Sequence, residues 1–448
     1  MTFEQPRSAS GQNVDRQILR LAIPALGALL AEPLFILADT AIVGRLGTSS
    51  LAALSVASTV LLTVVGLCVF LAYATTASVA RLIGAGQQAR AIRAGIDGMW
   101  LAVGLGVVLA VGLVLFGHHV LVLLGASGEV ASLANDYLRL SACGLPGMLV
   151  VLAATGVMRG MQDTRTPLII SVAGASANVM ANWLLVYGFN LGIAGSGLGT
   201  AICQSGMGIA AGWIVARGAR RYGVSLRPHS SGVLSQVRSG IPLLIRTLSL
   251  RIAILLTVVV ATRLGDVTLA GHQIVTAIWN FIAYGLDALA IAAQALVGKY
   301  LGAGDHGATR ALLHRTLRWG VVTGLVCGLV VAASSWWFTP LFTSDPQVRS
   351  AATVTLIVVS VLMPMAGWVF VLDGVLIGAG DGRYLAWVGI VTLLVYLPAL
   401  WAVAEFADVG SAALMWLWVA FGGWFMAARA ITTGWRARGT HWMVLGAT

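Results

Sequence analysis

Two carboxylates, Glu32 and Asp39, stand seven residues apart in the otherwise apolar stretch EPLFILADTAIVGRLG. On a helix that separation is about two turns, so both side chains are expected on one side, roughly 10 Å apart along the axis. An ionised group at the centre of a bilayer costs about 2.5–3.5 kcal/mol on insertion scales. A chain that keeps one there supplies a cavity, a partner, or an ion to exchange. A structural hydrogen bond to a neighbouring helix is the competing reading for both acids. Pro33 removes one backbone hydrogen bond and crowds the preceding turn. It is a candidate hinge six residues before Asp39, with a fixed bend as the alternative. Phe35 lies between the acids and joins Glu32 as a candidate cavity residue.

Other polar groups interrupt apolar runs further on. Asn178 and Asn182 are spaced i, i+4 in GASANVMANWLLVYG and share one helix face. They either bond between helices or, with Thr200, complete a polar cavity. In the second half, Arg246 and Arg251 interrupt IPLLIRTLSLRIAILL, and Asp287 and Asp373 follow in later runs. Opposite charges so placed pair and offset the cost of burial, or form a second cation or proton site. Glu405 is expected at an interface. Cys68, Cys143, Cys203 and Cys327 are isolated and read as small packing residues. His118–His119 is an adjacent pair in an expected loop, where two neighbours rarely ligate one metal. No HExxH, GxSxG or P-loop pattern is present. No enzyme constellation, metal centre or cofactor is therefore expected, only a coupling ion.

These residues need long apolar helices to hold them. The chain has 448 residues, 58% hydrophobic and only 10% charged, with a mean hydropathy of +0.91. Apolar runs long enough to span a bilayer recur from end to end. The fold class is an all-α membrane protein, and its first run is expected to stay as a membrane helix rather than to be cleaved. Breaks at Gly, Pro and charge clusters give about twelve spans: 18–44, 50–80, 90–116, 129–158, 167–188, 194–217, 237–263, 268–299, 307–337, 347–378, 384–405 and 410–434. The net charge of +11 comes with 26 Arg and the single Lys299. That balance fits cytoplasmic loops of a membrane protein rather than a nucleic-acid surface, and the Arg, Ala, Gly and Val load fits a GC-rich bacterial genome. Arg residues collect at the even-numbered loops; the odd ones carry only Arg45, Arg263 and Arg349. Both termini and the even loops are thus expected in the cytoplasm.

The chain also repeats itself. RLGTSSLAAL at 45–54 matches RLGDVTLAGH at 263–272, RLIGAG at 81–86 matches KYLGAG at 299–304, and GVMRGMQDTR at 156–165 matches GVLIGAGDGR at 374–383. Ile23–Pro24 matches Ile241–Pro242 and Pro146 matches Pro364, always at an offset of 218. Two six-helix pseudo-symmetric lobes follow, 1–216 and 241–448, joined by a basic, polar cytoplasmic linker, 217–240. Six is even, so both lobes begin on the same side and form parallel repeats, an arrangement in which transporters alternate between inward- and outward-open states. The offset also provides an internal control. Asp39 falls on Thr257, Glu32 on Leu250, Asn178 on Tyr396 and Asn182 on Leu400. The shared fold therefore does not require the polar groups of the first half.

Over nearly its whole length the chain resembles the multidrug and toxic compound extrusion (MATE) transporters, in particular their DinF-like branch. The resemblance rests on AEPLFILADTAIVGRLG, on LAGHQI at 269–274, on the GAG segments after the second and eighth spans, and on LDGVLIGAGD at 372–381. It implies a two-lobe, twelve-helix antiporter with a central cleft, driven by inward flow of protons or sodium. Asp39 matches the family's first-helix carboxylate, the ion-coupling group. Glu32, Asn178 and Thr200 fall at cavity positions of the amino-terminal lobe. At Asn182 the chain departs from archaeal relatives, which have an aspartate, so a two-carboxylate proton site is not implied and Asp39, with Glu32, is left to carry coupling. The expected function is export of amphipathic organic cations in exchange for H⁺ or Na⁺. The alternative is a flippase for a lipid-linked envelope precursor, which Arg246 and Arg251 would favour. The expected setting is the bacterial plasma (inner) membrane, multi-pass, with membrane lipids and small organic cations as partners, no nucleic acid, and a monomer.

Overall fold

The computed structural model describes residues 11–407 and 411–446, and among these no strand occurs. The first half folds into α1 (Gly11–Gly44), α2 (Thr48–Leu67), α3 (Phe70–Gly84), α4 (Gln88–Leu123), α5 (Gly128–Ala142), α6 (Leu145–Gly160), α7 (Arg165–Trp183, continued by a π-helical turn to Gly188) and α8 (Gly192–Arg221). The second half supplies α9 (Ser230–Arg263), α10 (Asp266–Gly302), α11 (His306–Phe342), α12 (Pro346–Gly378), α13 (Gly382–Phe406), α14 (Ser411–Trp418) and α15 (Met426–Arg438), with a π-helical segment, Val419–Phe425, joining the last two. Among the described residues eleven helical segments, with α2–α3 and α14–α15 each taken as one, are long and apolar enough to cross a membrane, and α5 with α6, bent by 49°, passes the same test as a pair, giving twelve if that pair is one span. The expected start of the twelfth span at residue 410 lies outside the described residues, as do the chain ends, 1–10 and 447–448.

The structure departs from the sequence expectation in two places. His118 and His119 are not in a loop: α4 continues apolar to Leu123 and carries both. The stretch 217–240 is not one long loop either. Arg220 and Arg221 close the last turn of α8, where cations suit the helix dipole, and α9 begins at Ser230, leaving 222–229 as the connection. That connection is tied down. Arg93 Nη1 donates to the Ser225 carbonyl at 2.8 Å, Trp100 Nε1 to the Leu226 carbonyl at 2.9 Å, and the His229 amide to Asp97 Oδ1 at 3.1 Å.

The chain divides into two compact units. One is Ile23–Ile241; the other joins the segment up to Ala22 with Pro242–Gly446. The changeovers fall at the repeated Ile–Pro pairs, inside α1 and α9 rather than in the connecting loop. Each unit has its own core. In the first, α6 packs against α3, α4 and α8; in the second, α12 packs against α10 and α11. Gly47 and Gly265 open α2 and α10 with φ of 124° and 101°, a region that L side chains rarely adopt. The repeat thus keeps the same turn residue at the same place.

Candidate functional site

Asp39 lies on α1, which runs unbroken through Pro24 and Pro33. It is 4% exposed, and three other helices of its unit close over it. Ser196, in the first turns of α8, donates its hydroxyl to Asp39 Oδ1 at 2.6 Å. Asn182, at the end of α7, donates Nδ2 to the same oxygen at 2.8 Å and to Asn178 Oδ1 at 2.8 Å. Tyr137 of α5 reaches Oδ2 at 3.5 Å. Thr200, one turn beyond Ser196, is 1% exposed. Asn178 Nδ2, Asn182 Oδ1 and Thr200 Oγ1 are buried without a well-formed hydrogen bond. The node therefore offers one carboxylate and further oxygen atoms whose capacity is unspent. The chemistry of such a donor set suits a proton on the acid or an oxygen-coordinated cation beside it.

The backbone makes this convergence possible. The first turns of α8 read GIAGSGLGT, and the small residues admit close neighbours. A Cβ on Gly197 would stand 2.7 Å from the Tyr137 carbonyl oxygen, and one on Gly199 would fall on the Asn182 amide oxygen. Close approach to both α5 and α7 puts Tyr137, Asn182 and Ser196 around one acid.

Of the residues singled out from the sequence, Asp39, Asn178, Asn182 and Thr200 come together. Glu32 does not join them: it is exposed, and Phe35 is half-buried. Both acids leave α1 in nearly the same direction, but the cover that α5, α7 and α8 give Asp39 does not extend to Glu32. Ser196 and Tyr137 escaped the sequence reading. The first sits among glycines that look like a loop, and the second in an amphipathic stretch, LANDYLRLS, like many surface helices.

At the equivalent places in the second lobe, Thr257 and Tyr396 share a 2.7 Å hydrogen bond. Tyr137, Ser196 and Thr200 become Thr355, Leu414 and Trp418 at the 218 offset. Aromatic packing fills that position: Trp418 lies 5.7 Å from Phe421 and 5.6 Å from Trp279, and Tyr396 lies 5.2 Å from Phe425 between ring centroids. The second-lobe charges assemble elsewhere. Asp373 of α12 accepts from both Arg246 of α9 and Arg429 of α15 on one oxygen, Oδ2, and Asp287 acts on Arg429 through its charge. Arg246, Asp373 and Arg429, with Thr392 and Phe425, line a cavity of only ≈ 10 Å³, room for about one water. The expected pairing is therefore present, with Arg429 as a partner the sequence reading missed. Its setting, ARAITTGWRAR, looks like the basic cytoplasmic end of a span. Arg251 is exposed and outside this cluster. Glu405 is also exposed, whereas Cys143 is an exposed free thiol rather than a packing residue. No group of three or more metal-ligating side chains occurs among the described residues.

Duplicated lobes of membrane-spanning helices, a buried acid node in one lobe and no counterpart carboxylate in the other define a multi-pass membrane transporter. The chain belongs to the MatE family, whose profile matches twice, over 24–184 and 242–401; this is a family of multidrug-efflux transporters. Both matches begin at the prolines where the chain changes unit. Over 442 residues it is 31% identical to "Protein DETOXIFICATION 44, chloroplastic" of Arabidopsis thaliana, covering 94% of this chain and 82% of that one. It is 26% identical over 434 residues to "DNA damage-inducible protein F" of Escherichia coli K12, covering 92% and 94%. Among solved structures, a mutant of the Vibrio cholerae MATE transporter VcmN superposes with a TM-score of 0.87 at 22% identity, covering 96% of this chain and 99% of the other.

Proposed function

We propose that the protein is a secondary antiporter that exports amphipathic organic cations in exchange for H⁺ or Na⁺, with Asp39 as the coupling group. The observation that carries this reading is the Asp39 node: a buried carboxylate on which Ser196, Asn182 and Tyr137 converge, in one lobe of a duplicated fold. The other lobe folds with Thr257 at that place, so the acid is not a requirement of packing. A bound proton or sodium ion and a cationic substrate compete for the same negative charge. The incoming ion displaces the substrate as the site opens alternately to the two sides of the membrane, and that competition couples the two flows. A membrane potential of 100 mV adds about 2.3 kcal/mol per elementary charge moved. Asn182 supplies an amide where a second acid would titrate, so one carboxylate does the exchange. Glu32 and Phe35 lie on the same helix as substrate-contact candidates, and Pro33 is a candidate hinge between the levels of Glu32 and Asp39. The setting is the bacterial inner membrane, with both termini cytoplasmic and the chain acting as a monomer without a cofactor.

The test is efflux of a lipophilic cation such as ethidium from proteoliposomes, with pH and sodium gradients imposed one at a time. One of the two gradients should drive the wild type. Asp39→Asn keeps shape and most hydrogen-bonding capacity but cannot exchange an ion, and it should lose at least tenfold of the gradient-driven rate while retaining its fold. Efflux that persists with no gradient, or an Asp39→Asn rate equal to wild type, would overturn the proposal.

A further inference from the structure

A groove unrelated to the Asp39 node opens on the second unit between α11 and α15, with Trp368 of α12 in its wall, and has a volume of ≈ 480 Å³. The two helices run antiparallel here, and Arg310 Nη2 donates to the Arg438 carbonyl at 3.2 Å. That pairing aligns the start of α11 with the end of α15. Arg310, His314 and Arg438 therefore gather at one end of the groove. Leu317 and Ile431 lie deeper, with Leu317 about 10 Å from Arg310 along the helix. Among the described residues no acid lines the groove. Its outer wall is apolar and open: Ile431 is 70% and Trp435 76% exposed. At Gly434 a Cβ would stand 3.7 Å from Trp368 Nε1, so the glycine leaves the indole donor facing the space. The distribution of arginines places the basic end at the cytoplasmic leaflet.

We propose that this groove binds an anionic phospholipid of that leaflet. Guanidinium groups match a phosphodiester in charge and geometry, and a basic recess between membrane helices on the cytoplasmic side is suited to an acidic headgroup. Arg310 and Arg438 hold the phosphate, the Trp368 indole lies within the same recess, and the acyl chains lie along Leu317, Ile431 and Trp435. A soluble anion would use the arginines but gain nothing from the apolar wall one to two turns deeper. A zwitterionic lipid would use the wall but carry a choline toward the Arg310 and Arg438 guanidiniums. The vertical order of charge and hydrocarbon selects the anionic lipid over both.

The experiment is native mass spectrometry of the full chain released from nanodiscs containing equal phosphatidylglycerol and phosphatidylcholine, with glycerol 3-phosphate added in a separate arm. Wild type should retain phosphatidylglycerol at least tenfold over phosphatidylcholine. Arg310→Gln with Arg438→Gln should erase that preference. Gly434→Leu, which fills the groove without changing charge, should erase it as well and decides the matter if the double variant fails to fold. Arg220→Gln with Arg221→Gln, two exposed arginines at the end of α8, should leave it intact. Equal retention of both lipids by wild type overturns the proposal, as does the same loss from the Arg220/Arg221 pair. So does displacement by glycerol 3-phosphate at the concentration where the lipid is held.

Discussion

Asp39 gathers its hydrogen bonds unevenly, and the unevenness makes a prediction. Ser196 is the nearest donor, at 2.6 Å, whereas Tyr137 stands at 3.5 Å on the other oxygen. A hydrogen bond to a charged group contributes about 1.5–3 kcal/mol, and leaving the charge short of a donor costs a similar amount. Ser196→Ala should therefore lower gradient-driven efflux about tenfold, measured in proteoliposomes at equal protein content. Tyr137→Phe should change it less than threefold. Equal effects from the two would mean that Tyr137 closes on the acid during the cycle. Asp39 was legible in the sequence because a carboxylate inside an apolar run has few explanations. Asn178, Asn182 and Thr200 were legible for the same reason. Ser196 was not, because a serine among glycines has many. Asp373 shows a different limit. The sequence placed it in a membrane span and proposed an ionic partner, but only the fold brings Arg246 and Arg429 to one of its oxygens. Two guanidiniums on one carboxylate oppose the entry of a cation, so this acid is a poor rival to Asp39.

Among the elements, α8 does the most to build the node, and it does so through what it lacks. Its early glycines bring α5 and α7 close enough for side chains on three helices to reach α1. Gly199 is the sharpest instance, since a methyl there would occupy the position of the Asn182 amide oxygen. Gly199→Ala should push α7 away, destabilise the lobe by about 1–3 kcal/mol through overpacking, and reduce efflux although it removes no polar group. Gly206→Ala, on the same helix with nothing within 4 Å of its missing Cβ, should be neutral in both respects. Thermal unfolding followed by fluorescence-detected size exclusion, beside the transport assay, reads the pair. If Gly206→Ala harms the protein equally, helix flexibility rather than close approach explains the glycines. Span positions were readable because each span is a long apolar run ended by Gly, Pro or charge. The 49° bend between α5 and α6, the π-helical turns after α7 and α14, and the extension of α4 through His118–His119 were not. They depend on what packs against each helix, which an apolar run does not encode.

At the scale of the whole molecule, each unit separates the two ends of its spans by its own contacts. In the first, the 222–229 connection bonds to Arg93, Asp97 and Trp100 near the start of α4, so the sixth and second loops share an end. In the second, Asp15 of α1 pairs with Arg315 and accepts from Trp319 Nε1 at 2.8 Å on α11. Arg436 pairs with Asp381 at 2.7 Å. Arg310 of α11 donates to the Arg438 carbonyl at the end of α15, so the early part of α1, the eighth and tenth loops and the end of α15 lie together. Both units sort even loops from odd, as the arginine distribution does, and the positive-inside rule assigns the even end to the cytoplasm. The prediction uses a chain whose four native cysteines are replaced first, because Cys143 is exposed. A cysteine at Ser231, in the first turn of α9, should resist an impermeant maleimide added to intact cells and react after the membrane is opened. A cysteine at Ser127, between α4 and α5, should react from outside at once. The reverse pattern would invert the molecule. The Arg310–Arg438 groove would then face the outer leaflet, and in the proposed antiport the coupling ion would approach Asp39 from the opposite face.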